Sequence, residues 1–260
     1  MNLMNLLPLP ELASAHGYKI DFIIYVVHGL MFALFVGWAL FILYVLFRFH
    51  RRRHPKASYH GIHTHWSTGL EVFIAIFEVA LLVGLSIPFW SSHVDAAPKM
   101  MEGRTNTVEL RVVGEQFAWN VHYPGADGVF GKTDIIHIDQ QSNPLGIDPN
   151  DPHGKDDITS PNLHLPIGRP AYIHLTSKDV IHCFSLPVMR VKQDVIPGMS
   201  IPVWFTPTKT GEFEIACAQL CGLGHYKMRA GLIIHSDEDF QSWLDEQAAA
   251  SAVEYDDFFN

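Results

Sequence analysis

Four side chains that can bind a transition metal lie within one segment of twelve residues. They are Cys217, Cys221, His225 and Met228, in the spacing C-x3-C-x3-H-x2-M. Thiolate, imidazole and thioether groups are soft or borderline ligands, which suit copper far better than magnesium or calcium, because those ions prefer oxygen. A fifth candidate, His182, lies 35 residues before Cys217. The segment and this distant histidine together predict a copper site.

Simpler interpretations of the same residues compete with a copper site. Cys217 and Cys221 could form a disulfide in an oxidising compartment. Met228 could fill a hydrophobic core, and His225 could be a surface residue. Zinc accepts cysteine and histidine, but its structural motifs favour paired C-x2-C or H-x3-H groups, and methionine is a poor zinc ligand. The particular spacing favours copper over each of these alternatives.

The same residues resemble a known family, subunit II of cytochrome c oxidase in the heme-copper superfamily, with its dinuclear copper A (CuA) centre. The likeness extends from the first apolar helix to about His235. It implies a cupredoxin-like domain in which two thiolates bridge two copper ions, and each ion has one histidine and one weak axial ligand. The ligands implied are His182, Cys217, the backbone carbonyl of Gln219, Cys221, His225 and Met228.

Such a ligand set is suited to electron transfer. Two thiolates let one electron spread over both coppers, and a rigid β-scaffold keeps the geometry nearly unchanged between redox states. The resemblance implies that a c-type cytochrome donates the electron and that a heme in subunit I receives it. Oxygen is then reduced to water in subunit I, and protons are pumped. This chain lacks the histidine set for hemes and for the second copper site, so we predict no heme bound to it.

An aromatic segment departs from the family pattern at one position. Gly114-Glu-Gln-Phe117-Ala-Trp119 resembles the family's G-x-Q-W-x-W cluster, whose first tryptophan is thought to receive electrons from cytochrome c. That position is Phe117 here, while Trp119 is kept. We expect both rings in the electron path, and a donor that could be membrane-bound or part of a larger complex. Ordinary strand core is the alternative for both rings.

A second departure concerns magnesium. The family usually has C-x-E-x-C, in which the glutamate carboxylate binds a magnesium ion, and this chain has Gln219 at that position. A neutral amide is a poorer ligand for a hard cation. We therefore assign no magnesium site.

Two apolar segments predict a transmembrane helical hairpin over residues 22–92. The first helix covers about 22–47 and carries no formal charge. Its length is enough to cross the roughly 30 Å hydrocarbon layer. The second covers about 70–90. The loop 48–66 starts with five Lys or Arg and no acid between Arg48 and Lys56, so the positive-inside rule places it in the cytoplasm. Both termini and the copper domain are then periplasmic, at the inner membrane of a bacterium.

Two acidic residues lie in the second apolar segment. Glu71 and Glu78 are seven residues apart and share one helix face. An acid at membrane depth usually faces protein, water or a proton path. The resemblance implies that Glu71 lies at the mouth of a proton channel in subunit I, although a snorkelling interfacial acid is the alternative. Glu78 falls where many relatives have proline, so a proton role and a structural hydrogen bond to subunit I stay equally open.

The remaining sequence predicts an all-β Greek-key sandwich or barrel over residues 93–236. An N-terminal periplasmic segment, 1–21, precedes the hairpin, and a C-terminal helix with a loose acidic tail, 237–260, ends the chain. Short β-rich runs separated by turn residues support the domain. The runs are Thr107–Val113, Phe117–Tyr123, Asp134–Ile138, Ala171–Thr176, Ile201–Phe205, Glu212–Cys217 and Ala230–His235.

Three further residues near the candidate ligands have predicted roles. Lys192-Gln-Asp194 resembles the family's K-x-D segment, which contacts subunit I, while an ordinary surface ion pair is the alternative. Cys183 adjoins His182, so strand alternation points its side chain the other way and predicts a buried thiol that is not a ligand. The remaining histidines show no ligand spacing.

Composition restricts the partners. Eighteen Lys and Arg against 27 Asp and Glu give a net charge of −9, which argues against nucleic acid and is compatible with a basic protein partner. The chain has no C-x-x-C-H motif for a c-type heme. The predicted partners are oxidase subunits I and III, a c-type cytochrome and the lipid bilayer. A copper-storage or assembly membrane protein is the alternative function, and it would hold one labile copper.

Overall fold

The structure of the chain is a computed structural model that describes residues 7–56, 59–60, 65–94 and 106–259. Parts of the predicted N-terminal segment, of the loop 48–66 and of the junction before the β-domain lie outside these residues. The chain divides into two compact units. One comprises Met1–Pro8 and Lys19–Ala97, and the other comprises Leu9–Tyr18 and Pro98–Asn260.

The first unit is helical. It contains α1 (Gly17–Arg48) from its third residue onward, α2 (His65–Leu81), a π-helical turn (Leu82–Ser86) and α3 (Ile87–Val94). Two stretches, Gly17–Arg48 with 32 residues and His65–Ser92 with 28, are long and apolar enough to cross a membrane. Both helices begin about five residues earlier than predicted, because polar residues can extend an apolar helix beyond the run that signals it.

The second unit contains two five-stranded sheets. The first has the order β3-β2-β1-β5-β8 and the second β4-β10-β9-β6-β7. The strands are β1 (Val108–Glu115), β2 (Ala118–Tyr123), β3 (Ile158–Ser160), β4 (Leu163–Pro166), β5 (Ala171–Ser177), β6 (His182–Leu186), β7 (Val191–Val195), β8 (Ile201–Phe205), β9 (Gly211–Cys217) and β10 (Arg229–His235). The chain ends in α4 (Asp237–Phe259). The predicted all-β domain is therefore present after the helices.

The core lies between the two sheets. Every second residue of β1 and β5 is buried, as expected for strands with one face against a core. Leu110, Ile173, Phe184 and Ile215 are all fully buried. Burying one such side chain contributes roughly 1.5–3 kcal/mol to stability. This core supports the strand ends from which the candidate ligands project.

Two predicted elements differ from the structure. Asp134–Ile138 is not a strand, because the Asp134 side chain accepts a hydrogen bond from Ile136 N and caps a short 3-10 helix at Ile135–His137. An aspartate that binds the backbone two residues ahead favours a turn over a strand. The acidic tail, residues 254–260, was predicted to be loose, but α4 continues to Phe259.

Several remaining histidines form pairs with other side chains. His122 Nε2 lies 2.6 Å from Asp157 Oδ2, and both side chains are buried. His164 Nδ1 lies 2.8 Å from His235 Nε2, with the two rings tilted by only 13°. Nearly parallel rings whose nitrogens face each other are typical of an N–H···N hydrogen bond. These histidines therefore stabilise the fold by pairing.

Candidate metal centre

The candidate ligands are positioned by the second sheet and by one loop. His182 is the first residue of β6, and Cys217 is the last residue of β9. β6 and β9 pair antiparallel, with Phe184 opposite Cys217. The metal loop, residues 218–228, leaves β9 and returns to β10. It is closed at its base, because Cys217 N donates a hydrogen bond of 3.1 Å to Met228 O.

The six predicted ligands come together in two similar groups. Cys217 Sγ lies 3.9 Å from His182 Nδ1 and 3.1 Å from Gln219 O. Cys221 Sγ lies 3.7 Å from His225 Nδ1 and also 3.7 Å from Met228 Sδ. The two sulfurs are 3.8 Å apart, and both cysteines are free thiols. Each thiol therefore faces one imidazole and one weaker donor.

This site is buried, and its donor set fits a metal ion. His182 is 0% exposed, Met228 2% and Cys221 4%. Burial, together with the hydrogen bond and charge of Cys217, raises the pKa of Cys221 to about 11. Such a thiol loses its proton most readily when a cation takes the proton's place. Donor atoms of His182, Cys217 and Cys221 lie within 4.8 Å of one another, and the described part of the chain has no other such group.

A carboxylate fixes the orientation of His182. Asp179 Oδ1 accepts a hydrogen bond of 2.9 Å from His182 Nε2. Desolvation tends to raise the pKa of Asp179, but hydrogen bonds from His182, Gln116 N and Val180 N outweigh it and lower that pKa. The ionised carboxylate holds the proton on Nε2, which leaves the Nδ1 lone pair directed at the sulfurs. Asp179 was not predicted from the sequence, although its position three residues before His182 was an available signal.

Gln116 and Phe117 contact the metal loop. Gln116 Nε2 donates a hydrogen bond of 2.6 Å to Cys221 O. The Phe117 ring lies so close to Gly222 and Gly224 that a Cβ at either residue would meet ring atoms, at 3.2 Å for Gly222. Gly222 also has φ +140°, which side-chain-bearing residues rarely adopt. The two glycines therefore leave the space that Phe117 occupies.

Trp119 contacts the strand side of the site. Its ring centroid lies 6.0 Å from that of His182 and 5.6 Å from that of Phe184. Trp119 is buried, and its indole N–H has no acceptor among the described residues. It therefore belongs to the core and also touches a candidate ligand, so both predicted roles fit its position.

Large apolar side chains are exposed on the metal loop. Leu220 is 78% exposed, Leu223 95% and Tyr226 86%. All three lie in the same loop as Cys221 and His225. Exposed apolar side chains grouped in this way commonly mark interaction sites.

The other predicted residues lie near or outside this centre. Lys192 and Asp194 are exposed on one face of β7, an edge strand, and no ion pair between these two described residues is seen. Cys183 is buried as predicted, and desolvation together with Asp194 raises its pKa to about 11. Glu71 and Glu78 both lie on α2 and, seven residues apart, on one face of it.

The chain is similar to known proteins of one family. Residues 107–236 match the family described as cytochrome c oxidase subunit II, periplasmic domain. An alternative cytochrome c oxidase subunit 2 from Bradyrhizobium diazoefficiens is 35% identical over 238 residues, which are 91% of this chain and 82% of that protein. A cytochrome c oxidase subunit 2 from Synechocystis is 27% identical and spans 93% of this chain and 76% of that protein.

Among solved structures, the chain is similar to the periplasmic domain of subunit II of cytochrome oxidase (CoxB) of Bradyrhizobium japonicum. The TM-score is 0.41 and the identity 29%, with 55% of this chain and 94% of that chain covered. The family match covers the β-sandwich described above, which confirms the predicted fold class of two apolar helices followed by a cupredoxin-like domain. With half of its length matched to the family and a relative 35% identical over 91% of its residues, this chain belongs to the cytochrome c oxidase subunit II family.

Proposed function

We propose that this chain is the electron-input subunit of a terminal cytochrome c oxidase and that it carries a dinuclear copper A centre. One observation supports this most strongly: two free, buried thiols lie 3.8 Å apart, and each faces one imidazole and one weaker donor. The ligands would be His182, Cys217, the Gln219 carbonyl, Cys221, His225 and Met228. The family implies copper, and two soft ligand groups that share a pair of thiols suit two copper ions better than one.

The two copper ions, when bound, would accept one electron from a c-type cytochrome and pass it to a heme in subunit I, where oxygen is reduced and protons are pumped. The protein's own part is to hold the ligands rigidly. His182 and Cys217 project from paired strands, and the metal loop is closed at its base by the bond from Cys217 N to Met228 O. Buried ligands on a rigid scaffold move little when charge changes, which keeps reorganisation small.

Electrons would reach the centre through its exposed apolar surface. Leu220, Leu223 and Tyr226 would contact the electron donor, and Phe117 lies against two glycines of the same loop. Trp119, in edge contact with His182, offers a second aromatic group in the path. Because Phe117 has no indole N–H, it can pack and lie in the electron path but cannot donate a hydrogen bond to the cytochrome.

The two membrane-capable helices and the family match to a periplasmic domain fit a membrane subunit. We place the chain in a bacterial inner membrane, with residues 48–66 cytoplasmic and both termini periplasmic. The domains would be 1–21, 22–92, 93–236 and 237–260. Glu71, and with it Glu78, would face subunit I near its proton path, and Lys192 and Asp194 would contact subunit I from the periplasmic side. Gln219 has a neutral amide where the family has a magnesium-binding carboxylate, so no magnesium site is proposed.

Rapid mixing of the assembled oxidase with a reduced c-type cytochrome tests this function. In the Cys217→Ser variant we expect the fast reduction of subunit I heme to disappear while the heme content is unchanged. Cys183→Ala is the matched control, since this thiol is buried beside His182 but is not a ligand, and it should keep the fast phase. Heme reduction at the wild-type rate in Cys217→Ser would reject the proposal. A chain that purifies with one labile copper and without hemes would instead indicate an assembly protein.

A further inference from the structure

Gln116 and Asp179 connect the two halves of the metal centre without being candidate ligands themselves. One half is His182 on β6, and the other is Cys221 on the metal loop. Asp179 Oδ1 bonds His182 Nε2 at 2.9 Å, while Asp179 Oδ2 accepts a hydrogen bond of 2.7 Å from Gln116 N. The Gln116 side chain then donates to Cys221 O at 2.6 Å. These three bonds form a continuous bridge from the strand ligand to the loop ligand.

We infer that Gln116 and Asp179 are positioning residues that hold His182 and Cys221 in register with each other. This inference rests on the proposed copper centre. Sheet pairing fixes His182 relative to Cys217, because β6 and β9 are neighbours. Cys221 lies in the metal loop, outside any strand, so its distance from His182 depends on contacts such as the one with Gln116.

The two imidazoles differ in their hydrogen-bond partners. His182 is fully buried and its distal nitrogen is bonded to a carboxylate. His225 is half-buried and has no carboxylate partner among the residues that the structure describes. A carboxylate behind an imidazole fixes its ring and makes it a stronger donor to a metal ion. The Cys217 side of the centre should therefore bind copper more tightly than the Cys221 side.

The glycines of the metal loop make room for this bridge. A Cβ at Gly222 would lie 2.7 Å from Gln116 Nε2, closer than real side chains approach. Gln116 therefore reaches Cys221 O only because residue 222 has no side chain. The position of the Gln116 side-chain amide therefore depends on both the β1–β2 connection and the metal loop.

Two substitutions separate the parts of the bridge. Asp179→Asn leaves one oxygen where the carboxylate accepts from three N–H donors. Either Gln116 N on one side, or His182 Nε2 and Val180 N on the other, must then face an amide N–H. Gln116→Met keeps length and volume but removes the donor to Cys221 O. We expect Asp179→Asn to weaken copper retention by about 10- to 100-fold, as for other partners of metal-bound histidines. Gln116→Met should weaken it by about 2- to 10-fold, the usual effect of one hydrogen bond.

The experiment uses the assembled oxidase and measures copper loss to a competing chelator together with the EPR spectrum of the copper that stays bound. Asp179→Asn should make the copper hyperfine couplings unequal, which a general loss of stability would not do. Because both residues act through one bridge, the double variant should lose little more copper than Asp179→Asn alone. Gln116→Asn, an amide too short to reach Cys221 O, should behave like Gln116→Met and replaces it if that variant does not assemble.

Matched controls carry the same chemical changes elsewhere. Asp127→Asn alters an exposed carboxylate that lies 2.6 Å from His153 Nδ1, and Gln241→Met removes an exposed amide that bonds Asp245 at 2.9 Å. Both should keep wild-type copper. Unchanged retention and spectra in the bridge variants, or losses that multiply in the double variant, would overturn the inference while leaving the proposed function intact. A wild-type spectrum without a shared copper pair would overturn both.

Discussion

Replacing Gly224 with alanine places a methyl group against the ring of Phe117. A Cβ at Gly224 would lie 2.6 Å from Phe117 Cγ and 2.8 Å from Cε2. Favourable carbon contacts are about 3.5–4.0 Å, so the ring or the loop must move by roughly 1 Å. Gly224 itself has φ −90° and ψ 8°, which alanine can adopt. The perturbation is therefore a steric one, and the Phe117 ring is the nearest neighbour that it meets.

The free-energy change follows from two opposing terms. Overpacking in a well-packed region costs about 1–3 kcal/mol. Replacing glycine by alanine where the backbone allows it stabilises by about 0.4–1 kcal/mol, because the unfolded chain loses freedom. We expect Gly224→Ala to lower the free energy of unfolding by about 1–2 kcal/mol. In a Phe117→Ala background the methyl group has space, so the same substitution should stabilise.

Urea unfolding of the full chain in detergent, followed by near-ultraviolet circular dichroism of the β-unit aromatic residues, measures both effects. Gly168→Ala is the control, because Gly168 has φ +76° and open space around its missing Cβ. Its cost, of order 1 kcal/mol or more from backbone strain, should not depend on Phe117. An equal loss of stability for Gly224→Ala in both backgrounds would refute the assignment of Phe117 as a support of the metal loop.

Three further predictions concern other parts of the chain. Met228→Leu should shift the midpoint potential of the copper centre and leave the melting temperature nearly unchanged, because a weak axial ligand tunes potential more than fold; an unshifted potential would exclude Met228 as a ligand. Desolvation and the neighbouring His235 lower the pKa of His164 from 6.5 to about 4. The unfolded chain therefore binds the proton first, and stability is lost as pH falls from 6.5 to 4. After discounting for solvent screening, acidification from pH 7 to 5 should cost about 1 kcal/mol in urea unfolding, and a His164→Gln chain with the same pH slope would contradict this. Glu71→Gln should slow proton uptake by the reconstituted oxidase while copper reduction by cytochrome stays at the wild-type rate; unaltered proton uptake would remove Glu71 from the proton path.

The candidate ligands were predictable because their types and spacing are local. Cys217, Cys221, His225 and Met228 occur in one short loop, and only His182 had to be brought from elsewhere. The two long helices were also predictable, because a long apolar run without charges rarely forms any other structure. The ends of the helices were not predictable, because polar residues such as Lys19 and Asp21 continue α1 beyond its apolar run.

The positioning residues were not predictable in this way. Asp179 contacts Gln116 across 63 positions in the sequence, and Gln116 contacts Cys221 across 105. Such contacts depend on which strands become neighbours, and the sequence does not state this. Short strands such as Ile158–Ser160 were not predicted for a similar reason. Three residues show no periodicity, and this strand is defined by its pairing with β2. At Asp134–Ile138 a strand was predicted that does not form, because the Asp134 side chain caps a short 3-10 helix within this β-rich run.

The EPR spectrum of the copper-loaded full chain, recorded together with copper content, tests the central claim most directly. Two thiols that share a pair of ions predict two coppers per chain and a seven-line mixed-valence signal, both lost in Cys221→Ser. A four-line spectrum with one copper per chain, or a disulfide between Cys217 and Cys221 in the native protein, would contradict the account.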